Sequence, residues 1–169
     1  MSGELRAELE KHLKALNIQT SCVDHPPVFT VEEMMPHLRG VSGAVTKNLF
    51  LKDKKKKRCW LVSVRHDRQV NLNELAKKLS AGSGNLRFAD EAAMLDKLKV
   101  GQGCATALAL LFDEDRSVTL VLDRDLLEGG HPMVYFHPMT NAATVGMKPE
   151  DLLRFLEHTG HRPVLEDFE

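Results

Sequence analysis

Thr46-Lys47-Asn48-Leu49-Phe50-Leu51-Lys52 is the stretch on which the fold turns. Leu49, Phe50 and Leu51 make a short apolar run between polar and turn-forming residues, as a core strand does. After Lys52-Asp53-Lys54-Lys55-Lys56-Lys57-Arg58 the apolar character returns from Trp60 to Val64. The two runs predict a β-hairpin with a strongly cationic tip. Lys47 stands just ahead of the first run, where a buried face wants a neutral side chain. Two placements are open to it. It can point outward as a solvated lysine, or into a cleft at the strand's start, where an ammonium can hold a carbonyl, a phosphate or a ribose.

Working outward, Leu5, Leu9, Leu13 and Leu16 recur at helical spacing and predict an amphipathic N-terminal helix. Alternation from Ile18 to Val23 predicts a strand that Pro26 and Pro27 bring to an end. Thr30 with Glu33 has the capping-box pattern and opens a short helix through Met34 and Met35. Asn71 with Glu74 starts a helix over Leu72–Leu79, and Asp90 caps another carrying Met94, Leu95 and Leu98. Leu86-Arg87-Phe88 reads as a very short strand between them. Cys104 to Phe112 reads as a buried strand after Gly101-Gln102-Gly103, and Val118 to Leu122 as another. Met133 to Phe136 and, more weakly, Ala142 to Val145 are strand-like. Pro149 and Gly160 bracket a last helix. With no repeat or linker, residues 1–169 read as one mixed α/β (α+β) domain whose mixed, largely antiparallel sheet is flanked by helices.

The bulk properties exclude several classes. The formal net charge is −1, so binding to nucleic acid has to come from a local basic patch. The cationic hairpin tip and the Lys77/Lys78 pair are the candidates for such phosphate contacts. No apolar run approaches the ~20 residues that span a bilayer, and the first residues lack a signal-peptide pattern, so no membrane partner and a cytoplasmic location are expected. The three cysteines, Cys22, Cys59 and Cys104, lack metal-ligand spacing. The eight histidines are scattered, so neither a metal nor a cofactor is expected. Phosphate-loop, His-Glu-x-x-His and nucleophile-elbow patterns are missing too.

What remains is a set of polar residues at breaks beside apolar runs. Lys47 and Asn48 open one strand, Gly101, Gly103 and Thr106 another, and His137, Thr140 and Asn141 follow a third. Glycines let a ligand approach the backbone, whose N–H groups can receive a developing oxyanion. Three such ends meeting would make a small polar pocket. Each residue also has a plain structural role open to it: His137, for one, can satisfy a loop carbonyl.

Five segments carry a resemblance: Asp24 to Thr30, Thr46 to Asp53, Leu86 to Ala89, Val100 to Thr106 and Tyr135 to Asn141. In that order they resemble the YbaK/prolyl-tRNA-synthetase-associated deacylase family, in its free-standing alanyl-tRNA(Pro) deacylase branch. The resemblance implies a compact domain with a central curved sheet. It also implies metal-independent hydrolysis of alanine misattached to proline tRNA, in trans. It identifies Lys47, Asn48, Gly103 and His137 as catalytic. His25, Phe29, Thr30, Leu49, Phe88, Thr106 and Asn141 become candidates for substrate binding, and Lys54, Lys55, Lys56, Lys57, Lys77 and Lys78 for tRNA binding. Lys47 and Asn48 would hold the ester, Gly103 would serve the oxyanion, and His137 would orient water or ribose. Phe29, Leu49 and Phe88 are candidate walls of a pocket that admits the alanyl methyl and rejects the proline ring. One position departs from the family's Gly-x-x-x-Pro loop: Ala107 stands where proline is expected. The partners implied are aminoacylated tRNA and prolyl-tRNA synthetase or another translation factor. Two alternatives stand beside this reading: a deacylase for cysteine or serine on tRNA, and a non-catalytic tRNA- or synthetase-binding module of the same fold.

Overall fold

In a computed structural model the described residues are 2–53, 58–81, 85–101 and 103–168. Lys54, Lys55, Lys56 and Lys57 of the expected hairpin tip therefore lie outside the described residues. In chain order the elements are α1 (Ser2–Ala15), β1 (Ser21–Asp24), α2 (Val31–Met34) running into a 3-10 turn (Met35–Leu38), β2 (Ala44–Asp53), β3 (Cys59–Arg65) and α3 (Leu72–Lys78). There follow β4 (Leu86–Phe88), α4 (Glu91–Leu98), a 3-10 helix (Ala107–Phe112), β5 (Val118–Asp123), α5 (Arg124–Glu128), β6 (Val134–Phe136), β7 (Ala143–Met147), α6 (Pro149–Thr159) and β8 (Val164–Glu166). Side chains of Thr30, Asn71 and Asp90 accept from backbone N–H groups at the starts of α2, α3 and α4, as the capping patterns predict.

The segment Cys104–Phe112 departs from expectation. Instead of a strand it is a turn followed by the 3-10 helix, opened by Thr106, whose hydroxyl accepts from Leu108 N at 3.2 Å. Leu and Ala dominate here where a strand would favour β-branched residues, and an all-round buried run has no period to separate the two states. Helix α5 and strand β8 were not expected either.

The eight strands form one mixed sheet in the order β1-β7-β6-β2-β3-β5-β8, with β4 also on β2. Four pairings are antiparallel (β1–β7, β2–β3, β2–β4 and β6–β7) and three parallel. Phe50, Leu61 and Leu120 face the largest core cluster, with Leu9 and Leu13 of α1, Leu98 of α4 and Phe155 of α6. The opposite face carries two separate clusters. Leu51, Trp60 and Val62 pack with Leu75 of α3, and Val45 and Tyr135 pack with Met34 and Leu38. Lys47 shares that face, at the seam between the two clusters, because strand side chains alternate.

β2 is longer than its neighbours on one side, and that mismatch makes a gap. Its start pairs with β6 only at Ala44 and Val45, and its end pairs with β4 only from Leu51 to Asp53. Between those ends, β2 pairs with β3 alone. Asp53 N donates to Arg58 O, and His66 N donates to Val45 O. In an antiparallel ladder alternate residues bond the partner, so the odd-numbered residues bond β3 and Asn48 presents its N–H and C=O to the gap.

Candidate active site

The gap is roofed into a cavity of about 380 Å³. β6 ends at Phe136 and delivers His137 to one end, while β4 ends at Phe88 and delivers Ala89 to the other. The Gly103–Ala105 loop and the residues around α2 close over it. Because the cavity lies at a strand edge, side chains from both faces of the sheet reach it. Lys47, Asn48, Gly103 and His137 all line it, with Phe29, Thr30, Leu49 and Phe88.

Lys47 is half-buried, and its Nζ donates to the carbonyl of Arg68. Arg68 is tied in turn through Nε to the buried carboxylate of Asp123 at 2.9 Å. An ammonium has three donors, so two remain for a ligand. Asn48 is held from two sides. Ser63 Oγ donates to its Oδ1, and its Nδ2 donates to Thr46 Oγ1 at 3.3 Å. Thr46 Oγ1 itself donates to Tyr135 O at 2.6 Å. This chain fixes the amide orientation and leaves the second Nδ2 hydrogen uncommitted.

His137 Nδ1 lies 3.0 Å from Ala143 O. A carbonyl only accepts, so Nδ1 carries the hydrogen and Nε2 is a lone-pair acceptor, with no hydrogen-bond partner among the described residues. Burial pushes the His137 pKa below its ordinary value, and nearby His25 adds to this against the opposing hydrogen bond to Ala143. At neutral pH the ring is uncharged. Gly103 has φ +82, and a Cβ there would lie 2.8 Å from Phe29 Cδ1 and 3.3 Å from Asn141 Nδ2. Only glycine fits that backbone without moving Phe29.

Other candidates fall outside the cavity lining. His25 uses both ring nitrogens, on Pro26 O and on Thr144 Oγ1, each at 2.9 Å, and so joins β1's end to β7. Asn141 holds the cavity wall from behind: its Nδ2 donates to Val28 O at 2.8 Å, and its O accepts from Val28 N at 3.1 Å. Thr106 is fully buried and caps the 3-10 helix. Lys77 is exposed, whereas Lys78 Nζ donates to Asp167 O at 2.7 Å and lies 5.5 Å from the Phe168 ring. Burial pushes the Cys104 thiol upward, against a hydrogen bond from Asn141, and Cys104 does not line the cavity.

Residues that sequence reasoning missed include Thr46, Ser63, Arg68 and Asp123, which orient Asn48 and Lys47. The legible trace was Ser63, a hydroxyl inside the otherwise apolar Cys59–Val64 run. Val28, Met34 and Phe50 were missed as well: all three are buried and form the inner wall. Phe29 and Phe88, expected in that wall, are 63% and 59% exposed and stand at the rim. Among the described residues no group of three or more His, Cys, Asp or Glu side chains could hold a metal ion. Nor is any described helix long and apolar enough to cross a membrane.

The sequence profile described as aminoacyl-tRNA editing domain matches residues 25–155. Prolyl-tRNA synthetase associated domain-containing protein 1 of Bos taurus is 68% identical over 100% of this chain and 99% of its own length. Prolyl-tRNA editing protein ProX of Acetoanaerobium sticklandii is 34% identical over 88% of each chain. A solved structure described as a candidate trans-editing enzyme for prolyl tRNA synthetase superposes with a TM-score of 0.70, covering 98% of this chain and 96% of the other. At 19% identity that last likeness speaks to the fold alone.

Proposed function

Because this chain belongs to the aminoacyl-tRNA editing domain family, we propose that it is a trans-editing deacylase acting on alanine misattached to proline tRNA. The observation that carries the reading is convergence. An ammonium, a fixed amide, an open backbone N–H and an uncharged imidazole border one cavity in a sheet gap. Water attacks the ester carbonyl, the bond from that carbon to the ribose oxygen breaks, and the proton passes to the ribose oxygen. Alanine and a free 3′ end leave.

Each residue then has a task its geometry suits. Lys47 spends one donor on Arg68 O and offers the others to the carbonyl end of the ester. The Asn48 N–H and its second Nδ2 hydrogen, with the Gly103 loop, supply donors where the oxyanion develops. Neutral His137 accepts at Nε2 from the incoming water or from a ribose hydroxyl, and so orients it. The inner wall of Val28, Met34 and Phe50 takes the alanyl methyl, and a proline ring meets that wall first. The name of the ProX relative concerns prolyl-tRNA editing, which favours the proline system over cysteine or serine tRNAs.

The test is hydrolysis of Ala-tRNA(Pro) and Pro-tRNA(Pro) by the wild type and by Lys47→Ala. Alanine release by the wild type is expected, falling by about 10²–10³-fold in the variant. Folded wild type that releases no alanine overturns the deacylase reading. Equal cleavage of both substrates overturns exclusion by size.

A further inference from the structure

Among the described residues Phe29 and Phe88 are the two most exposed large apolar side chains, at 63% and 59%, and both line the same cavity. The other exposed ones, Leu95, Leu153 and Val164, do not line it. Neither phenyl ring stacks on another aromatic ring among the described residues. Both stand on hydrogen-bonded backbone. Phe29 N donates to Glu33 Oε1 at 2.9 Å, Val28 before it is bonded twice to Asn141, and the ring leans on Gly103. Phe88 sits opposite Leu51 in the β2–β4 ladder, and Ala89 N after it donates to Phe50 O at 3.0 Å.

We propose that Phe29 and Phe88 are stacking platforms for the unpaired nucleobases at the 3′ end of the RNA, a binding site separate from the inner wall that meets the amino acid. It rests on the deacylase reading, because it places the base beside the ribose that carries the ester. The cavity's volume of about 380 Å³ lies within the range of ligand pockets and leaves room beyond an alanyl group. Two isolated rings at the mouth offer flat π-faces, which every base can use and which an alanyl methyl does not need. A protein-docking surface would call for a continuous exposed apolar patch, whereas among the described residues the exposed large apolar side chains at this cavity are these two rings alone.

The probe is a cytidine-cytidine-2-aminopurine trinucleotide, whose terminal base loses fluorescence on stacking. The wild type should quench it. Phe29→Ala and Phe88→Ala should each weaken binding by about 5- to 150-fold and restore fluorescence, while Phe29→Tyr and Phe88→Trp keep the binding and the quenching. Should the alanine variants fail to fold, the wild type is titrated with a trinucleotide whose terminal base is deleted. Equal affinity for the two probes, or quenching unchanged in folded alanine variants, overturns stacking and leaves the rings to a protein contact. Quenching without alanine release would keep the stacking site and sink the deacylase. Alanine release without quenching would do the reverse.

Discussion

At the scale of single residues, the site is built from neighbours that point apart. Lys47 and Asn48 are adjacent, so they project to opposite faces of β2, and they share a cavity only because that stretch of strand has an open edge. Their residue types at a strand start were legible in the sequence, as was His137 beside Pro138. Their supports were not. Ser63 reaches Asn48, and Arg68 reaches Lys47, through strand register and a loop crossing that no local pattern encodes. His137 gives this scale its prediction. Its folded pKa lies below the ordinary 6.5, so the unfolded chain takes up a proton first as pH falls. Stability is therefore full above about pH 6.5 and is lost progressively as pH falls from there toward the lowered folded value. Hydrolysis should hold below pH 6.5 and then fall with an acid limb, because a protonated Nε2 no longer accepts. His137→Gln should remove that limb from the pH profile of the residual rate. An acid limb centred at or above 6.5 in the wild type would contradict a neutral, buried ring.

Among the elements, the 3-10 helix shows why an apolar run misleads. Leu108, Ala109 and Leu110 are fully buried whichever way the backbone winds, so burial carried no signal of its own. The winding was decided by Thr106, extended at φ −159 and ψ 144 with its hydroxyl capping the turn. Ala107 is the first residue of that helix, where an N–H has no helical acceptor and proline's fixed φ is suited. The extended Thr106 also suits a residue that precedes proline. The absent proline of the Gly-x-x-x-Pro pattern thus bears on the unfolded chain's freedom more than on the site's shape, since Thr106 supplies the cap. Ala107→Pro should stabilise by about 0.4–1 kcal/mol and raise the Tm by roughly 1–4 °C in calorimetry. A fall in Tm would mean that the buried position has no room for the ring.

For the whole molecule, the cavity follows from how the sheet is assembled. β6 reaches β2 from one end and β4 from the other, and neither is long enough to meet the other. Closing that gap with a continuous strand would satisfy the backbone and abolish the pocket, so the unpaired segment is a structural expense that a ligand site explains. That β4 and β6 are short strands was visible at Leu86–Phe88 and, one residue longer than observed, from Met133 to Phe136, but their shared partner was not. Long-range pairing leaves no mark in either segment. The consequence is measurable by amide hydrogen exchange. Lys47 and Leu49 turn their N–H groups to β3, whereas Asn48 turns its N–H into the gap. Under native conditions the Asn48 amide should exchange about a hundredfold faster than either neighbour, although all three lie mid-strand. A non-hydrolysable alanyl amide of adenosine should slow Asn48 selectively, because its carbonyl or amine would take the place of the missing strand. Equal protection at residues 47, 48 and 49 without ligand would show that the sheet closes over this edge in solution, and the cavity would lose its backbone donor.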